Sequence, residues 1–148
     1  VFFESEDLLS ATGPEGWPNY TVFPGFEISI TPKKSDSTLI VTFAGLVTHS
    51  ASYGAYSNIL RTGTGIPDKF LHIPETPSGC PSITGEMVHS ATVAYDKPNT
   101  TQAVKYSLTS TVAVGNGGAV AYLNKSQVSA SLSLGQTVAR LIVQEVSA

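Results

Sequence analysis

Charge is what this sequence has least of. Asp, Glu, Lys and Arg make up 13% of its 148 residues, against about 25% in an ordinary soluble domain. The eight Lys and Arg are scattered and the formal net charge is −3. A nucleic-acid binder needs a basic stripe to displace phosphate counterions, so the sequence argues against that class. Cysteine is almost missing as well. With Cys80 alone no internal disulfide framework can form, and secretion is neither supported nor excluded. No apolar run approaches the roughly 18 residues of a membrane span, and no signal peptide is visible, so no membrane insertion is expected. The chain begins at Val1, as removal of an initiator Met or proteolytic maturation would leave it. Helical periodicity of useful length is also absent.

What fills the space left by charge is Ser, Thr and small apolar residues, with 41% of the chain hydrophobic. That composition suits sheets covered on both sides and does not suit a disordered chain, which combines low hydrophobicity with high net charge. The length fits one domain with a real core and no need of disulfides or metals. The chain is organised around Phe26 to Ser50. Ile28 and Ile30 alternate with polar neighbours, Pro32 to Ser37 breaks the pattern, and Leu39, Ile40, Val41 and Phe43 form an apolar run. Because strand side chains switch faces at every residue, this predicts two strands joined by a polar hairpin.

Further strands are predicted at Tyr53 to Arg61, Phe70 to Ile73, Met87 to Tyr95, Thr101 to Val114, Ala119 to Asn124 and Thr137 to Val146. Turn signals stand between them at Thr62 to Gly65, Asp96 to Asn99 and Gly115 to Gly118. Five residues between 66 and 82 are Pro or Gly, which predicts a long surface excursion, the usual place for recognition on an all-β scaffold. In the last strand Ala139, Leu141 and Val143 share one face and Val138, Ile142 and Val146 the other. Ile40, Ala44 and Leu46 add apolar residues to the outer face of the run after the first hairpin. A sheet wetted on one side does not tolerate two apolar faces, so these six residues are the candidate subunit interface, and closed cyclic symmetry is the ordinary way to cover them. The fold expected is all-β, a jelly-roll-type β-sandwich of about eight strands over residues 26–148.

Residues 1–25 read differently. They carry Glu4, Glu6, Asp7 and Glu15 with no basic residue, and Gly13, Pro14, Gly16, Pro18, Pro24 and Gly25 oppose regular structure. Phe2, Phe3, Leu8 and Leu9 are too apolar for an idle tail. An irregular N-terminal arm is expected, packed on its own domain or docked on a neighbour.

Little points to chemistry. His49, His72 and His89 have no paired spacing, so no metal site is expected. No Gly-x-Ser-x-Gly elbow occurs, and Cys80 lies between Gly79 and Pro81 on an expected loop, a setting in which a lone cysteine is ordinarily inert. Glu75 with Glu86, or Asp68 with Asp96, could be imagined as a glycosidase pair, but nothing in the sequence pairs them. The glycine clusters open no helix and hold no phosphate-binding pattern. No catalytic residue and no cofactor is therefore assigned. Trp17, Tyr20, Tyr53 and Tyr56 could stack on a sugar ring or pack within the protein. Three Asn-x-Ser/Thr sequons, at Asn19, Asn99 and Asn124, mildly favour a secreted, glycosylated protein.

One resemblance runs the length of the domain. Pro24-Gly25-Phe26 precedes Ile30-Thr31-Pro32, a polar turn and Leu39-Ile40-Val41. Then come Arg61-Thr62-Gly63-Thr64, Tyr95-Asp96-Lys97-Pro98, Val104-Lys105-Tyr106-Ser107-Leu108 and a terminal Leu141-Ile142-Val143-Gln144-Glu145-Val146. In order and spacing, over residues 17–146, this series resembles a β-domain recurrent in virion proteins of tailed bacteriophages. Those proteins include tail fibres, capsid fibres and decoration proteins. Thr38 stands where that family often has Lys, and Asp96 follows Tyr95 directly. The resemblance implies a trimeric jelly roll similar to the complement and tumour-necrosis-factor architecture, displayed on a phage particle. Its implied partners are copies of itself and other virion proteins, with no enzyme activity and no cofactor. A capsid decoration (cement) protein or fibre domain is the reading expected. A host-glycan attachment domain and a secreted eukaryotic binding domain are the alternatives.

Overall fold

Ten strands run through the residues that the computed structural model describes, which are 1–5, 9–12, 20–49, 55–71, 87–112, 120–124 and 138–146. They are β1 (Phe2–Ser5), β2 (Leu9–Thr12), β3 (Thr21–Ile30), β4 (Thr38–His49), β5 (Ala55–Gly63), β6 (Lys69–Leu71), β7 (Met87–Asp96), β8 (Val104–Val112), β9 (Val120–Leu123) and β10 (Ala139–Val146). Sheet A has the order β1-β10-β4-β9-β2 with β7 on the other edge of β4, and sheet B has the order β3-β8-β5-β6.

Ten strands occupy eight positions. Both β10 and β9 are antiparallel to β4, at Thr38–Ala44 and Val47–His49 respectively, so they form one interrupted track. β1 and β2 run antiparallel to β10 and β9 and form a second interrupted track beside it. The pairing then reads first position with last (β1/β2 with β9/β10), second with seventh (β3 with β8), third with sixth (β4 with β7) and fourth with fifth (β5 with β6). A long hairpin paired in this way and rolled up is a jelly roll. The all-β sandwich of about eight strands is the fold observed.

Alternation builds the core between the sheets. Leu39, Val41, Phe43 and Val47 from β4, Ala139, Leu141 and Val143 from β10, and Ala121 and Leu123 from β9 face Phe23, Phe26, Ile28, Ile59, Leu71, Val104, Tyr106 and Leu108 of sheet B. Phe26 lies edge-on to Phe3 at 5.3 Å and to Phe43 at 5.9 Å, tying three strands from both sheets. Such edge-to-face pairs add stabilisation beyond the area they bury. In β3, Phe23 to Phe26 stand opposite Leu108 alone. Gly25, at φ +73, allows this bulge, which sends both Phe23 and Phe26 into the core.

Two expectations change. β3 and β4 do not form a hairpin, because they belong to different sheets. Residues 31–37 cross from one sheet to the other, held by Glu145 of β10, whose Oε1 accepts from Ser37 Oγ at 2.6 Å and Lys33 N at 2.7 Å. The N-terminal segment is not irregular over its described residues. β1 and β2 are edge strands of sheet A, and β3 begins at Thr21, before the expected boundary at residue 26. Phe3 turns inward onto Phe26 while Phe2 stays exposed, and the free edge of β10 supplied the backbone partners: Val143 N donates to Val1 O at 2.9 Å.

The joint in the interrupted tracks is closed by Asn124. It sits just after β9 at φ 61, is buried, donates Nδ2 to Ser5 O at 2.7 Å and donates its backbone N to Leu46 O at 3.0 Å. One residue thus links β1 and β4 across the break between β9 and β10.

Candidate interaction face

The outer face of sheet A carries the exposed apolar surface. Register places Phe2, Ile142, Thr42 and Val93 in one cross-strand row, and Gln144, Ile40 and Tyr95 in the next. Phe2 is 56% exposed, Val93 51%, Tyr95 69% and Val146 48%, while Ile40, Ala44 and Ile142 are half-buried. The opposite residues of the same strands, Leu39, Val41, Phe43, Leu141 and Val143, are fully buried in the core. This sheet therefore has one apolar face against sheet B and another, only partly covered, pointing away from it. Contiguous apolar surface of that kind makes this face the candidate for an interaction site. Its charges are at one end and neutralise each other: Arg140 Nε donates to Glu4 Oε1 at 2.6 Å, in the row Glu4, Arg140, Ala44 and Ala91.

The residues expected at an interface are brought together unevenly. Ile40, Ala44, Ile142 and Val146 share this face, and Val138, just before β10, is half-buried. Leu46 alternates onto the same side but is only 4% exposed, so it is buried within the chain itself. Val93 and Tyr95 belong to the face and were missed. The signal was present in the alternation Ala91, Val93, Tyr95 against Thr92, Ala94, Asp96.

The other expected sites disperse. Phe2 lies on the outer face but Phe3 turns inward onto Phe26. Leu8 lies outside the described residues, as does the side chain of Leu9 in β2. Among the candidate sugar-stacking aromatics, Trp17 and Tyr53 and the side chain of Tyr56 lie outside the described residues. Tyr20 is described, and its ring meets Phe70 edge-on at 5.0 Å. Phe70 points away from the core-facing Leu71, so the chain entering β3 lies over the outer face of sheet B, where Leu60, Ser107 and Thr109 are buried. Tyr20 thus packs one ring edge on Phe70 and remains 37% exposed.

His72, Cys80, Glu75 and Glu86 lie outside the described residues, as do the side chains of His49 and His89. Among the described residues no group of three His, Cys, Asp or Glu could hold a metal ion. Asp68 is exposed, whereas Asp96 is buried and already bonded, so they form no cleft pair. Asn19 lies outside the described residues, and Asn99 is exposed at φ 54. Asn124 is buried with its amide nitrogen donated to Ser5 O, so this sequon is closed to a glycan in the folded chain.

One polar cluster was not foreseen. Asp96 at the end of β7 accepts from Arg61 Nη1 at 3.1 and 3.2 Å, from Lys69 Nζ at 3.1 Å and from the Tyr106 hydroxyl at 3.0 Å. Arg61 Nη2 donates to Pro67 O at 3.0 Å. Burial, then the negative charge and hydrogen bond of Asp96, pushes the Tyr106 hydroxyl well above the usual phenol range, against a smaller opposing effect of Arg61. The cluster joins β7 of sheet A to β5, β6 and β8 of sheet B. With both carboxylate oxygens engaged and the side chain fully buried, it is built as a clasp. Arg61 and Asp96 are each the only fixed charge in their strands, but so are Glu27, Lys69 and Lys105 in theirs, so the sequence carries no signal that pairs these two.

No protein-family model and no curated protein matches the chain. Among solved structures, a chain in the structure of infectious bursal disease virus, Gx strain, aligns with a TM-score of 0.49 at 10% identity. The alignment covers 99% of this chain and 36% of that one, so this chain spans about a third of the length of its match.

Proposed function

We propose that this chain is a non-enzymatic structural domain of a virus particle, a capsid decoration (cement) protein or fibre domain of a tailed phage, standing on the particle surface. The observation that carries the reading is the partly exposed apolar outer face of sheet A, formed around Ile40, Ile142, Val93 and Tyr95. A domain that works alone has no use for two apolar faces on one sheet, whereas a subunit does. The ordered series of motifs shared with phage virion β-domains supports the same reading, and so does a jelly roll whose described polar cluster serves the fold. Copies of the chain and other virion proteins are the partners, with a homotrimer as the expected assembly. Sedimentation velocity at micromolar concentration tests it. A trimer that SDS dissociates is expected, and a strict monomer would overturn the reading.

A further inference from the structure

Sheet edges expose unpaired backbone groups, and proteins that stay single blunt them with short strands, charge, proline or bulges. Three of the four described sheet edges are blunted. The β1/β2 edge is divided into two four-residue strands, with Glu4 in the first. β3 carries Pro24, the Gly25 bulge and the Glu27–Lys105 ion pair at 3.1 Å. β6 has three residues, beginning with Lys69.

β7 has none of these devices. Its ten residues hold an unbroken antiparallel register with β4, from Leu39↔Asp96 to Thr48↔Met87. There is no proline in it, and no Lys, Arg, Asp or Glu before Asp96 at its end. Among the described residues no strand pairs with its other edge. The strand also presents two exposed apolar side chains of the outer face, Val93 and Tyr95.

We propose that β7 is a strand-addition edge that pairs antiparallel with β7 of a second copy of this chain, extending sheet A across a two-fold axis. This rests on the reading of the chain as an assembling subunit and adds a second contact beside the three-fold one, joining copies that belong to different trimers, so that the full assembly has an even copy number. Self-pairing fits the composition: an antiparallel copy sets no like charges opposite one another between Met87 and Tyr95, which a strand with internal charge would not allow. It also continues the apolar outer face from one copy into the next, as isologous contacts do.

Amide hydrogen exchange of the full chain, read by NMR at low and high protein concentration beside sedimentation, tests this. In a free edge strand every second amide faces water. Alternate amides of residues 88–95 should exchange fast when dilute and slow at least tenfold when concentrated, in step with an assembly of even copy number. Val93→Lys should abolish that slowing while leaving the circular dichroism spectrum of the monomer unchanged. A trimer whose β7 amides stay fast would overturn the strand pairing and leave the subunit reading intact. Amides already slow in the dilute monomer would overturn it too, because the edge would then be covered by the chain itself. A monomer at every concentration would overturn both.

Discussion

Removing the Asp96 carboxylate should come close to unfolding the domain, and the size of the loss follows from its partners. Asp96→Ala leaves three donors without their acceptor. The Lys69 side chain is 49% exposed and turns to water, so its loss should be at most about 0.5 kcal/mol. The Arg61 side chain is 6% exposed, and a buried charge stripped of its partner costs about 3–5 kcal/mol. Tyr106 is fully buried, and its orphaned hydroxyl adds about 1–3 kcal/mol. Partial relaxation brings the expected total to about 4 kcal/mol, against a stability of about 5–15 kcal/mol for an ordinary domain. Replacing the whole group, as Arg61→Leu, Asp96→Leu and Tyr106→Phe together, removes charge and orphan alike and should fall within about 2 kcal/mol of the natural protein. Urea unfolding followed by circular dichroism reads both, as a shift of midpoint at constant slope. An Asp96→Ala loss below about 1 kcal/mol, or a triple variant as weak as the single one, would refute the reasoning. The alkaline side gives a second readout. Tyr106 keeps its proton in the fold above the pH at which it ionises in the unfolded chain. Its stabilisation is therefore present below about pH 10 and lost as pH rises beyond it, and Tyr106→Phe should flatten that decline.

Ile40→Asp should weaken assembly in sedimentation while leaving the melting temperature of the monomer nearly unchanged, since Ile40 is half-buried on the outer face. Leu46→Asp, at a position 4% exposed, should instead destabilise the monomer by at least about 3 kcal/mol in urea unfolding. Asn124→Ala loses the bond to Ser5 O and strains a position at φ 61, about 2–3 kcal/mol together, whereas Asn124→Gly keeps the backbone relaxed and should lose about 1 kcal/mol less. The Ser37 hydroxyl has the largest effect and holds the Glu145 carboxyl below its usual range; desolvation opposes it, and the Lys33 and Lys34 backbone amides and the Lys33 charge reinforce it. Its contribution is present above the ordinary glutamate range and lost as pH falls through it, so Glu145→Gln should shallow the acid limb of a stability–pH curve.

Strand existence and facing were legible in the sequence because they are local. The alternation over Val104 to Leu108 gave the core face of β8, and Ile40, Ala44, Ile142 and Val146 were assigned to one side of two strands that prove adjacent. Partner choice was not legible, because it is decided far along the chain. The polar stretch Pro32 to Ser37 is as able to cross between sheets as to turn back within one, and only the remote Glu145 shows which occurs. The same distance hid the clasp. Asp96 read as the start of a turn and Arg61 as the end of a strand, and nothing within a few residues of either announces the other. Proline and glycine misled at the N-terminus, since Pro24 and Gly25 sit inside β3 as a bulge.

The pairing of first position with last also sets an order of events during synthesis. β10 lies between β1 and β4 in sheet A, so two strands made early wait with an open side until the last strand of the domain emerges from the ribosome. Among the described residues, β5 and β6 can close promptly through their short connection at residues 64–68. Contacts between such distant segments fold in milliseconds to seconds rather than microseconds. During that interval the apolar edges of β1 and β4 are open to strands of other nascent chains. Slow, temperature-sensitive maturation is thus inherent in the wiring of this domain, and lowering the growth temperature during expression should raise the soluble fraction.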